Sequence, residues 1–175
     1  MRKLLTLLAF LLILLSCKKD KPKNNYTGND KVEFYLLETM TPVTNKCAID
    51  GSRSTLKATP FITNEEIVVY DQKKHEFKFT ADTWQKLETL KDWDALAITM
   101  NKEVIYFAIF KPGHSSSSCD HSITAAKRLA VPRNLTEQVL SMSLGYPGND
   151  NFPGIEDKRN DKFLLHALYI QGKLL

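Results

Sequence analysis

After its first seventeen residues the sequence has no long hydrophobic run, and it has little excess charge of either sign. The longest later apolar run, residues 104–110, has seven residues, far fewer than the ~20 that a membrane-spanning helix needs. The formal net charge is +4 for the whole chain, and 22 basic and 20 acidic groups remain from residue 17 onwards. A nucleic-acid partner is not indicated, because it would need a strongly basic face.

The sequence also lacks the short motifs of the common enzyme classes. It contains no phosphate-binding loop, no serine nucleophile elbow and no paired-carboxylate signature, and it has no internal repeat. Residues 31–175 make a segment of about 145 residues, the usual size of one domain. We therefore expect a single domain that is not an enzyme and that carries no cofactor.

The N-terminal residues form an export signal. Two basic residues, Arg2 and Lys3, precede an apolar stretch at residues 4–15, and Ser16 and Cys17 follow it. The stretch would span roughly 18 Å as a helix, short of the ~30 Å hydrocarbon core, which disfavours the alternative of a transmembrane anchor. The segment resembles a bacterial lipoprotein signal with its lipobox at residues 14–17. The resemblance implies that residues 1–16 are removed and that Cys17 carries fatty acids such as palmitate.

Residues 17–30 read as a flexible spacer between the lipid and the domain. They are rich in Lys, Asn and Asp, and they contain too few apolar residues to fold. In bacteria that sort lipoproteins by the residue after the acylated cysteine, an acidic residue there retains the protein in the inner membrane. Lys18 occupies that position, so the resemblance implies an outer-membrane protein, facing either the periplasm or the surface, whose membrane contact is the lipid.

The pattern of the remaining chain predicts an α+β fold, with a mainly antiparallel sheet and two helices on one face. Residues 95–100 and 104–110 are expected to pair as a central hairpin, since both runs are apolar on both faces. Residues 122–130 are expected to form a weaker strand or an edge segment. Further strands are predicted at residues 32–37, 67–70, 75–79 and 140–144, and helices are predicted after Thr80 or Asp82 and after Asn160 or Asp161.

A central segment, residues 56–110, resembles the periplasmic head subdomain of SecD, a membrane protein that assists export. The resemblance depends on residues 60–63 before a strand, residues 77–80 leading into a helix, and residues 96–98 and 104–105 in a hairpin. It implies a ferredoxin-like core that contacts polypeptide and has no catalytic residues. SecD has transmembrane helices that this chain lacks, so its proton-driven export is not carried over.

Two cysteines remain once Cys17 is assigned to the lipid. In an oxidising compartment, Cys47 and Cys119 are expected to form a disulfide that closes a loop of about seventy residues. The alternative is a metal- or thiol-dependent site, in which His114, Cys119 and His121 bind zinc or copper, or Cys119 acts as a nucleophile beside a histidine.

These observations favour a non-catalytic, lipid-anchored module that binds polypeptide or another envelope protein. The expected contact is a sheet face or edge, as in strand addition. The two tryptophans, Trp84 and Trp93, are expected to fill the core rather than to stack against a sugar.

Overall fold

A computed structural model describes residues 29–129, 138–148, 152 and 154–175. The predicted signal peptide, Cys17 and nearly all of the predicted spacer lie outside these residues. Asp30, assigned to the spacer above, belongs to the folded domain, because it is buried and its carboxylate accepts a hydrogen bond from Asn101 Nδ2 at 2.8 Å. In the described part of the chain no helix has the length and apolar character needed to cross a membrane.

The described residues form eight strands and two helices. The strands are β1 (Val32–Thr39), β2 (Thr55–Leu56), β3 (Ile67–Asp71), β4 (Glu76–Phe79), β5 (Ala95–Met100), β6 (Glu103–Phe110), β7 (Cys119–Leu129) and β8 (Gln138–Tyr146), and the helices are α1 (Ala81–Glu88) and α2 (Lys162–Ile170). The eight strands build one sheet in the order β2-β1-β5-β6-β7-β8-β4-β3. Only β6 and β7 run parallel among the described neighbours. The predicted α+β class with a mainly antiparallel sheet is confirmed.

Local sequence signals explain the elements that were predicted best. Asn101 and Lys102 both have positive φ angles, 51° and 69°, as the tight turn of a two-residue hairpin requires. They join β5 to β6, whose register pairs Met100 with Glu103. Asp161 caps α2, because its side chain accepts hydrogen bonds from the backbone of Phe163 and Leu164.

The sheet has two differently covered faces. Both helices pack on one of them, where Leu87 of α1 and Leu164 of α2 join a large core built around the rings of Phe34 and Phe77. The opposite face carries a much smaller cluster that consists of Cys47, Ile109 and Cys119. Residues 41–54 contribute Cys47 to this second face, so a loop rather than a helix covers it.

One expectation needs correction, and another is not confirmed. Residues 122–130 were predicted as a weak or edge strand, but β7 is eleven residues long and lies between β6 and β8. Its parallel pairing with β6 is a long-range feature that no local pattern announces. The strand order also does not establish the ferredoxin-like core that the SecD resemblance implies.

Candidate functional site

The fold brings together the two cysteines that the sequence predicts to form a disulfide. Cys47 and Cys119 lie at disulfide distance, with Cα atoms 5.2 Å apart, although 72 positions separate them in the sequence. Both are buried against Ile109, and Tyr146 packs beside them. The loop also approaches the sheet closely at Gly51, where an added Cβ would lie 2.7 Å from the Phe107 ring. The pair therefore ties residues 41–54 to the second face of the sheet.

The alternative metal site is not assembled. Cys119 Sγ lies against Cys47, while His121 Nδ1 pairs with Asp120 Oδ1 at 2.6 Å. Within the described ranges no three His, Cys, Asp or Glu side chains, and hence not His114, Cys119 and His121, are grouped closely enough to hold a metal ion. The hydrogen bond from His121 lowers the pKa of the exposed Asp120 carboxyl, which is an ordinary surface interaction.

Strand addition is obstructed at both edges of the sheet, because other segments of the chain already form hydrogen bonds there. On the β1 side, Phe34 N donates to Ile62 O at 2.9 Å, and Lys57 N donates to Leu36 O at the same distance. On the β3 side, Tyr70 N donates to Lys173 O at 2.8 Å and Tyr70 O accepts from Leu175 N at 2.9 Å. An added strand would have to displace these segments, so a site elsewhere on the surface is favoured.

Trp93 marks such a site. The sequence predicted it as a core residue, but its side chain is 40% exposed, whereas Trp84 is half-buried and packs against the helix-face core. Trp93 also has φ = 75°, a left-handed conformation that costs a non-glycine residue roughly 1–2 kcal/mol. Strain of this kind concentrates at functional positions.

The turn that carries Trp93 is fixed by backbone hydrogen bonds. Asp94 N donates to Lys91 O at 3.1 Å, and the Asp94 carboxylate accepts from Lys91 N at 2.8 Å. Trp93 N donates to Phe110 O at 3.1 Å, which extends the pairing of β5 with β6 by one step. The indole is therefore presented from a rigid turn at the end of the sheet.

A buried cation supports the Trp93 ring. Lys111 is fully buried, and its Nζ lies 3.9 Å from the ring centroid, within the range of a cation–π contact. The same ammonium group pairs with Asp92 Oδ1 at 3.1 Å and donates to Ser117 Oγ at 2.8 Å. A buried charge with these partners is satisfied, so Lys111 holds Trp93 in place without being free for chemistry.

Asp92 completes this support. Its Oδ2 accepts a hydrogen bond from Ser115 Oγ at 2.8 Å. Burial tends to raise the pKa of the Asp92 carboxyl, but the hydrogen bonds from Ser115 and Lys111 outweigh it, and the pKa lies below its ordinary value of 3.8. The loop that contains Ser115 and Ser117 is thus tied to the Trp93 turn.

A groove of about 360 Å³ runs beside Trp93. Its apolar part comes from the end of β1 and the start of β5, and its charged residues come from two segments, one after β2 and the other the turn before β5. The lining residues are Leu36, Leu37, Met40, Lys57, Lys91, Trp93, Asp94 and Ala95. Met40 is 41% exposed there, and its flexible thioether adapts to varied partners. Apolar and aromatic walls with a few polar groups are the usual lining of a ligand-binding groove.

A second pocket, of about 280 Å³, lies between the cysteine-bearing loop and the starts of β6 and β7. Its charged residues, Glu156 and Lys158, pair with each other at 2.7 Å. Since this pair neutralises the charges that a ligand would meet, we rank the pocket below the Trp93 groove.

Sequence reasoning missed the groove because its residues come from distant segments. One local signal was present: Trp93 stands among Lys91, Asp92 and Asp94, and a tryptophan with charged neighbours on both sides is poorly placed to enter a core. The chain matches no protein-family model, no curated protein and no solved structure. The function of the groove must therefore be inferred from its own residues.

Proposed function

We propose that the protein is a lipid-anchored component of the bacterial cell envelope and that its domain binds polypeptide, without catalysis, in the Trp93 groove. The observation that carries this proposal is the exposed indole of Trp93, held in a left-handed conformation above the buried Lys111. Attachment at Cys17, residence in the outer membrane and binding of another envelope protein belong to the same proposal.

The free-energy cost of holding the Trp93 indole in an exposed position supports a binding role. The left-handed backbone is unfavourable by roughly 1–2 kcal/mol, and the partial exposure of the indole forgoes part of the gain from burial. Neither cost improves the packing of the core. Contact with a ligand explains both, because an exposed, rigidly held tryptophan is the type of residue that dominates binding energies at interfaces.

The chemistry of the groove favours polypeptide over sugar. Its walls are aliphatic and thioether groups from Leu36, Leu37 and Met40, which suit apolar side chains. Sugar hydroxyls need several acceptors, and among the residues that line the groove Asp94 is the single carboxylate. The resemblance of residues 56–110 to the SecD head, with the ferredoxin-like core that it implies, also supports contact with polypeptide.

Trp93 fluorescence tests the binding proposal. The chain has two tryptophans, so Trp84→Phe leaves Trp93 as the single reporter. The full chain, incorporated in phosphatidylcholine vesicles, is titrated with an unfolded polypeptide that lacks tryptophan. We expect a saturable blue shift of the Trp93 emission because the indole leaves water. A matched Trp93→Phe variant, which reports from Trp84, should show no shift; an unchanged Trp93 emission at all polypeptide concentrations would refute the proposal.

Anchoring is tested separately with labelled palmitate. Cells that express the wild-type chain should incorporate label into it, and Cys17→Ala should abolish the incorporation because no thiol remains to be acylated. An unlabelled wild-type protein would overturn the lipoprotein assignment. It would not bear on whether the Trp93 groove binds polypeptide.

A further inference from the structure

The Trp93 groove contains two lysines whose charges are not neutralised. Lys57 and Lys91 line it, and within the described residues neither ammonium group has an ion-pair partner. Asp92 is paired with Lys111, and Asp94 contributes one negative charge to the groove against the two positive charges of Lys57 and Lys91. The groove therefore keeps an excess of positive charge beside an apolar surface.

The second pocket shows that this arrangement is not general in the molecule. There Lys158 is matched by Glu156 at 2.7 Å. On the surface, Lys127 is likewise matched by Glu88 at 2.8 Å. The groove differs from these two paired sites because it combines an exposed tryptophan with two lysines that have no ion-pair partner among the described residues.

We infer that the groove selects polypeptide segments in which acidic residues flank a large apolar or aromatic side chain. The inference rests on the proposed function and adds the chemical class of the partner. The apolar side chain would contact Trp93 and Met40, while the carboxylates would approach Lys57 and Lys91. Charge complementarity of this kind sets specificity and association rate more than it sets total affinity.

A polypeptide segment fits the groove better than an anionic membrane surface does. The apolar contacts that it offers, Leu36, Leu37 and Met40, line a concavity beside Trp93. A single side chain of an extended segment can enter a concavity, whereas a bilayer surface would meet only its rim. Lipid headgroups would engage the lysines but would leave the apolar walls without a partner.

The test compares three peptides of equal length that share one central phenylalanine. The phenylalanine is flanked by two Glu, two Gln or two Lys residues. Binding is followed by Trp93 emission in the full-length Trp84→Phe chain, incorporated in phosphatidylcholine vesicles. We expect the Glu peptide to bind roughly tenfold more tightly than the Gln peptide in about 0.01 M salt, and the Lys peptide to bind most weakly. The advantage should vanish near 1 M salt, where the Debye length falls from about 30 Å to about 3 Å.

Substitutions identify the lysines responsible. Lys57→Gln together with Lys91→Gln should remove the preference for Glu, so that the Glu and Gln peptides bind to this variant with affinities within about twofold of each other. The matched control, Lys46→Gln with Lys73→Gln, removes two exposed lysines outside the groove and should keep the preference. Loss of the preference in the control would show that only the net charge of the chain matters, and would overturn the inference.

The remaining outcomes separate this inference from the proposed function. If the three peptides bind equally, the groove binds polypeptide but the charge preference is wrong. If none binds, both proposals fail. If none binds and vesicles that contain an anionic lipid are instead bound in a manner that requires Lys57 and Lys91, the lysines serve a lipid surface and the inference is overturned.

Discussion

Trp84 and Trp93 are nine positions apart, and the protein holds their indoles in different ways. Trp84 lies within α1 and packs edge-on against Phe79, with ring centroids 6.5 Å apart, at the margin of the helix-face core. Trp93 lies in a turn, 40% exposed, above a buried lysine that is paired with Asp92. Apolar packing holds the Trp84 indole in place. A polar scaffold, which consists of Lys111 and Asp92, holds the Trp93 indole.

These two arrangements show how a tryptophan that stabilises the fold differs from one that is presented to a partner. Packing around Trp84 stabilises the fold as it buries the ring, so its presence needs no further explanation. The scaffold around Trp93 combines a left-handed backbone with a buried cation and leaves much of the ring accessible. If the two regions are independent, a substitution in one of them should leave the other unchanged.

The largest effect is expected in the helix-face core. Phe77 is fully buried and contacts Phe34, Tyr70 and Phe79, with ring centroids between 4.2 and 6.0 Å away. Phe77→Ala should lower the free energy of unfolding by about 3–5 kcal/mol, since it leaves a cavity. Urea denaturation measures the loss. The native emission of Trp93 in the Trp84→Phe background should not change; a shift would mean that the two regions are not independent.

A somewhat smaller loss is expected on the second face. Replacing Cys47 and Cys119 by alanine should lower the free energy of unfolding by about 2–4 kcal/mol, because the unfolded chain loses the closure of a long loop. Thiol alkylation of the denatured wild-type protein checks the premise: both cysteines should react only after reduction. Two thiols that react freely without reductant would contradict the pairing and revive the thiol-dependent alternative at Cys119.

Lys111→Met tests the polar scaffold itself. Asp92 and Ser117 would lose their partner, so we expect a loss of about 1–3 kcal/mol in the free energy of unfolding, together with an altered Trp93 emission. Lys127→Met is the matched control, since its surface pair with Glu88 should contribute less than about 1 kcal/mol. Equal effects of the two substitutions would show that Lys111 does not support the groove.

Glycine and alanine should rank oppositely at the two tryptophan positions. At position 93, Trp93→Gly should be about 1 kcal/mol more stable than Trp93→Ala, because glycine tolerates the left-handed backbone. At position 84, within α1, alanine should be favoured over glycine by about 1 kcal/mol. Thermal or urea unfolding of the four variants measures both differences, and the same order at both sites would refute the backbone argument.

The smallest effect concerns acid. Because the pKa of Asp92 is lowered in the folded protein, the carboxylate stabilises the fold at pH values above the unfolded pKa. This contribution is lost as the pH falls through the lower, folded value. In Trp84→Phe, the Trp93 emission should therefore titrate with a midpoint below 3.8. Asp92→Asn should abolish this transition; an identical titration in that variant would assign it to another group.

The elements that the sequence predicted correctly are those fixed by local physics. Asn101 and Lys102 adopt the turn conformation that joins two apolar runs, and Asp161 caps α2. Elements that depend on distant partners were predicted less well. The sequence underrated β7 because its neighbour β6 runs parallel to it. Trp93 was expected in the core as a tryptophan, but it lies in a turn beyond Glu88, where α1 ends.

The candidate site was the least predictable part. The number of cysteines was enough to propose the Cys47 and Cys119 pair. Two cysteines remain after Cys17, and in an oxidising compartment two cysteines can form only one disulfide with each other. The groove, by contrast, combines residues from β1, from the segment after β2 and from the turn before β5. No spacing in the sequence relates Met40 to Lys57 and Trp93, so only the folded chain shows them together.

Site-directed photo-crosslinking in cells shows whether polypeptide occupies the Trp93 groove. A photoreactive residue replaces Met40, in the groove, or Val68 on the strand at the opposite end of the sheet; the two side chains are 41% and 51% exposed. We predict polypeptide adducts from position 40 that disappear in Trp93→Ala, and few from position 68. Equal adducts from both positions, or adducts at position 40 that persist without Trp93, would contradict the account.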